Sequence, residues 1–218
     1  KIMSIIGRRL GFVLASVVGS ISCLIGAYAI MVENFYIFCF AKFILGATMA
    51  FTHQYRFAAA ESVEKKMAPK AVSILLFGGI ISAFLGPSLA NYSKDFVSEN
   101  LYVGSYLSLA VLTFIPTILF FFYESKSINK ENINYTGRSY LELISQPRFI
   151  QALAASAFGY AIMTFLMTAT PISMHVMEKM SLSKTGIVIQ FHVASMFLPS
   201  LVTGHLIKKI GHSKVIYI

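Results

Sequence analysis

Lys42, Gly46, Met49, His53 and Arg56 sit in one long apolar run. At helical spacing they fall within an arc of about 80° on a single face. Two permanent cations and a titratable imidazole on one stripe are chemistry for holding an anion, or for meeting a carboxylate across a cavity. A charge deep in a bilayer costs roughly 2.5–3.5 kcal/mol, so such groups turn to water or to a partner. The plainer reading is snorkelling, because Lys42 lies about 9 Å from one end of its run and Arg56 lies near the other.

Two further runs carry polar stripes. Tyr160, Thr164, Met167, Thr168 and Pro171 share one helical face, suited to a flat or amphiphilic solute and equally to helix packing. Pro171 ends or kinks that helix and is a candidate gate element. The last run holds Gln190 and a face of His192, Ser195, Met196, Pro199 and Thr203. There His192 is a candidate proton relay or an ordinary interhelical hydrogen-bonding group. All nine acids, Glu33, Glu61, Glu64, Asp95, Glu99, Glu124, Glu131, Glu142 and Glu178, fall in loops or at run ends. Proton coupling would therefore need an acid on a helix outside this segment, or His53 or His192 in its place.

Six apolar segments are long enough to cross a bilayer, which takes about 20 residues. They are spans a to f: 10–31, 36–60, 71–92, 101–123, 149–173 and 185–207. The chain is 56% hydrophobic and 12% charged, with a mean hydropathy of +0.71. That is far below the roughly 25% charge of soluble domains. Its net charge of +9 lies mostly in loops and calls for no nucleic acid. Tyr and Phe replace the absent Trp as interfacial anchors. Cys23 and Cys39 both fall in apolar runs and read as small core residues, neither a disulfide nor a metal pair. Of the 18 Lys and Arg, 13 fall on the side holding Gly7, 3 on the opposite side, and Lys42 and Arg56 within a span. The positive-inside rule puts the Gly7 side, with the polar linker 124–148, on the cytoplasmic side of the membrane.

Gly7-Arg8-Arg9 opens span a, and Gly204-His205-Leu206-Ile207-Lys208-Lys209-Ile210-Gly211 closes span f. Gly7 and Gly211 stand 204 positions apart. A loop recurring after six spans implies a duplicated six-helix unit, the architecture of many secondary transporters. The period predicts a whole chain of about 400 residues, with this segment, opening on Lys1, as its middle.

These features resemble the major facilitator superfamily. Related Gly-x-Leu-x-Asp-Arg-x-Gly-Arg-Arg loops join helices 2 to 3 and 8 to 9 of that family, and a long cytoplasmic loop joins its six-helix halves. The resemblance makes spans a to f helices 3 to 8 of twelve. Several positions depart from it. The first loop has Ser4 and Ile5 near the family's Asp-Arg, and the second has Lys208 at the acidic position. In span b the Arg-x-x-x-Gly pattern begins with Lys42. The Gly-Pro of the antiporter motif stands at Gly86-Pro87, but the motif's other glycines are Leu75, Ser82, Ala90 and Asn91, so antiport does not follow. The segments Gln54–Glu61 and Met167–Pro171 are similar to bacterial permeases of the superfamily, including those proposed for riboflavin.

The fold expected is all-α, in the parts 1–123 (helices 3–6 of the N-terminal bundle), 124–148 (cytoplasmic linker) and 149–218 (helices 7–8 and the start of 9). The function expected is ion-coupled alternating-access transport of a small solute, anionic or aromatic, with the proton as candidate ion. Arg8, Arg9, Lys208 and Lys209, with Gly7, Gly204 and Gly211, would form gating loops that pair with Glu61, Glu64, Glu142 or helix C-termini. Gly78, Gly79, Gly86 and Pro87 would give span c close packing and bend. No Walker loop, His-Glu-x-x-His or Gly-x-Ser-x-Gly signature is present, so neither a cofactor nor enzymatic chemistry is expected. The rival from another class is a non-transporting membrane receptor or scaffold, which has no use for a cationic stripe inside a span.

Overall fold

The computed structural model describes residues 3, 6–64, 66–97, 100–123, 139–211 and 214. Among them every regular element is helical, and six segments are long and apolar enough to cross a membrane. Most of the expected linker, 124–138, lies outside the described residues. The chain divides into two compact units, one of Lys1–Lys126 with Gln190–Ile218 and one of Ser127–Ile189.

In the first unit α1 (Arg8–Met31) is the most enclosed helix. It is buried because its inward residues are small: Gly11, Ala15, Ser16, Gly19, Ser20, Cys23, Gly26 and Ala27. Small side chains let neighbouring backbones approach, and that contact area replaces the hydrophobic drive that lipid cannot supply. Onto this face pack α2 (Phe35–Thr52) and α5 (Val103–Phe121). Ser20 donates to the Ala110 carbonyl at 2.9 Å, and Ser22 donates to the Ala41 carbonyl. At its far end α1 closes with Glu33 at φ 52 and an Asn34 N–H bond to the Ala29 carbonyl at 2.9 Å. That is a Schellman-type stop. Asn34 then caps α2, its side chain accepting from the Ile37 N–H at 3.1 Å.

Span b is not one continuous helix. It breaks at His53-Gln54 and resumes as α3 (Tyr55–Glu61). The Gln54 N–H bonds the Phe51 carbonyl, a tighter three-residue turn, before the α pattern returns. After it, α4 (Ala68–Ser93) starts with Pro69 in its first turn and carries Pro87 inside. Span f also breaks, into α8 (Leu182–Phe197) and α9 (Ser200–Ile210), with Pro199 in the gap. Cys39, expected in the core, is exposed on α2, whereas Cys23 is buried as expected.

The second unit holds α6 (Tyr140–Ile144), α7 (Pro147–Pro171) and the first residues of α8. Pro171 ends the α-helix but not the rod, which continues as a π-helical turn over Ile172–Met177. His175 Nδ1 lies 2.7 Å from the Met180 carbonyl and closes the turn that follows.

Candidate functional site

Helix α1 starts after Gly7, whose φ of +81° is a left-handed conformation that favours glycine. Gly211, its partner in the repeat, ends α9 with φ +85°. The two motif glycines therefore share a positive φ as well as residue type. Gly7 sets the next two side chains beside the C-termini of two antiparallel helices. Arg8 Nη2 pairs with Glu61 Oε1 at 2.6 Å, at the end of α3. Arg9 donates to the Phe121 carbonyl in the last turn of α5, and its guanidinium lies 5.3 Å from the Phe121 ring centre. Both cations meet the negative ends of helix dipoles, and Arg9 satisfies a carbonyl that the helix leaves free. Ser62 Oγ and the Tyr123 hydroxyl, 3.2 Å apart, add a third link. Behind this clasp Phe12, fully buried, packs with Tyr55 and Phe120 at ring separations of 4.9 and 4.8 Å. Aromatic contacts of this kind add about 0.5–1.5 kcal/mol each beyond burial.

The structure thus joins Arg8 to one expected partner and Arg9 to a helix C-terminus. Glu64 pairs instead with Lys66 at 3.0 Å, both exposed. Lys209 is exposed, and the side chains of Gly204 and Lys208 lie outside the described residues.

Every residue of the stripe on α2 and α3 is exposed, and Lys42 differs from the rest in having ring partners among the described residues. The Lys42 ammonium stands 4.5 Å from the Tyr106 ring centre and 5.3 Å from that of Phe38, a cation–π seat against α5. Tyr106 fits there because the facing residue on α1 is Gly26, where a Cβ would lie 2.9 Å from the ring. Gly46, Met49, His53 and Arg56 are exposed, and a Cβ added at Gly46 meets nothing within 4 Å among the described residues. His53 falls in the helix break and Arg56 in the first turn of α3.

Gln190 Nε2 donates to the Phe84 carbonyl at 3.1 Å and to Ser88 Oγ at 2.8 Å, both on α4. His192 Nε2 is buried without a partner among the described residues. On α7, Tyr160, Thr164 and Thr168 are exposed and Met167 half-buried. Of the span c glycines, Gly79 packs closely, since a Cβ added there would lie 2.9 Å from the Phe197 ring, whereas one added at Gly78 or Gly86 meets nothing within 4 Å among the described residues. Sequence reasoning missed Tyr106, Phe38 and Ser88, which become partners only once helices pack. No group of His, Cys, Asp and Glu able to hold a metal occurs among the described residues.

Three curated proteins resemble this chain. One is the riboflavin transporter RfnT of Brucella anthropi, 36% identical over 211 residues, which cover 96% of this chain and 53% of that protein. The others are the uncharacterized MFS-type transporters YdeG and YddS of Bacillus subtilis. Each is 27% identical over 95% of this chain and 51% of its own length. The chain spans about half the length of the curated relatives it matches. No solved structure matches it. The family model for the Major Facilitator Superfamily covers residues 1–218. With its six apolar helices, the chain is an integral membrane protein and belongs to that superfamily.

Proposed function

We propose that this chain is part of a secondary active transporter that carries a small organic solute across a bacterial inner membrane by alternating access. Transport is coupled to an ion gradient, with the proton as the candidate ion. The observation that carries this reading is the 36% identity to a riboflavin transporter along 96% of the chain. Riboflavin is the cargo to test first, and an anionic flat aromatic solute second. The exposed α2–α3 face with Met49, His53 and Arg56 supports a solute pathway on that side of α2. In the second unit, the exposed α7 face with Tyr160, Thr164 and Thr168 is a further candidate for solute contact. Residues 1–123 and 149–218 would then belong to two rocking halves joined by 124–148. The Arg8–Glu61 and Arg9–Phe121 contacts would be the closed form of a cytoplasmic gate.

Growth tests the cargo directly. Bacteria that neither make nor import riboflavin are given the full-length gene and limiting vitamin. Growth restored by the wild type and not by empty vector is expected. Absence of growth with normal membrane insertion overturns riboflavin as the cargo.

A further inference from the structure

Proline at 87 removes the N–H that would bond the Ala83 carbonyl, so the α4 ladder is weakest at Gly86-Pro87. Phe84 and Ser88 lie on either side of that weak point. The Gln190 amide reaches both of them, at 3.1 and 2.8 Å. A carbonyl only accepts, so the atom facing Phe84 is the amide nitrogen, and its two hydrogens serve the two sides of Pro87. The rings of Phe84 and Phe191 meet edge to face at 6.1 Å beside it.

We propose that Gln190 is a positioning residue that makes the bend of α4 at Pro87 and the separation of α4 from residue 190 a single motion. One donor group grips α4 both before and after the proline. Straightening the helix pulls one bond off, and moving Gln190 away releases both. Neither coordinate changes alone while the fork holds. In an alternating-access cycle such a fork lets a local bend in α4 move its neighbour. That purpose rests on the transporter reading, but the coupling itself does not.

Paired spin labels read the two coordinates in the purified full-length protein with Cys23 and Cys39 replaced. Labels at Ile74 and Tyr92 span Pro87, about 27 Å apart along a straight helix, and report its bending. Labels at Tyr92 and Leu198 report the gap. Gln190→Leu keeps the bulk and removes both donors. It should raise the population of the wide-gap state about three- to eight-fold, the factor that one or two intramembrane hydrogen bonds carry. The bend distribution should shift with it. Ser88→Ala should move both distances the same way by less. In a Pro87→Ala background Gln190→Leu should no longer alter the bend. Unchanged distances in both Gln190→Leu and Ser88→Ala overturn the proposal, as does a gap that widens while the bend stays fixed. These distances need no solute flux, so a protein that fails every transport assay can still sustain or lose this inference.

Discussion

Arg8 and Glu61 come from helices 53 positions apart, and their ion pair leaves the Arg8 side chain 22% and the Glu61 side chain 47% exposed. A pair with that much solvent contributes about 0.5–1 kcal/mol at most. Its worth lies in where it sits, across the ends of α1 and α3. Arg8→Glu and Glu61→Arg are each expected to slow solute flux about two- to five-fold, and the double exchange to recover most of the loss. A double variant slower than either single one would remove the pair from any gating role. Arg56 makes the opposite case, being exposed with no recorded partner among the described residues. If it meets an anionic solute, Arg56→Ala should cut gradient-driven uptake about ten-fold or more, since charged hydrogen bonds are worth about 1.5–3 kcal/mol. Arg56→Lys should restore part of it. Flux unchanged in Arg56→Ala with normal insertion would make Arg56 a membrane anchor.

At the level of elements, glycine separates packing from motion. A Cβ at Gly104 would sit 2.1 Å from the Ser93 carbonyl oxygen, where α4 and α5 meet. Backbone cannot step aside as a side chain can, so Gly104→Ala should destabilise the protein by about 1–3 kcal/mol, read as a lower unfolding midpoint. Gly86 meets nothing within 4 Å among the described residues. Gly86→Ala should therefore stiffen α4, raising the midpoint by up to about 1 kcal/mol of stability while slowing flux. A lower midpoint, or unchanged flux, would deny Gly86 a role in bending. The six spans were legible because about 20 consecutive apolar residues leave a bilayer helix as the one way to satisfy the backbone. The break at His53-Gln54 was not, because neither Gly nor Pro marks it, and Thr52, His53 and Gln54 can each continue a helix. The rings around Lys42 were equally hidden. Tyr106 lies on another helix, and its place is set by Gly26 on a third.

For the whole molecule, the repeated glycine-basic loop carried the most information. Gly7 and Gly211, 204 positions apart, both take a positive φ, +81° and +85°, the one before α1 and the other after α9. The family followed from that spacing and from the number of spans between the loops. Cargo did not follow, because a cavity reads shape and polarity through side chains drawn from several helices. The central claim is transport by alternating access, and counterflow tests it most directly. Proteoliposomes of the full-length protein are loaded with unlabelled riboflavin and diluted into a trace of labelled riboflavin. Alternating access predicts a transient accumulation of label above its equilibrium level, abolished when the interior is empty. Label that merely equilibrates, at one rate whether or not the vesicles are loaded, would contradict the account.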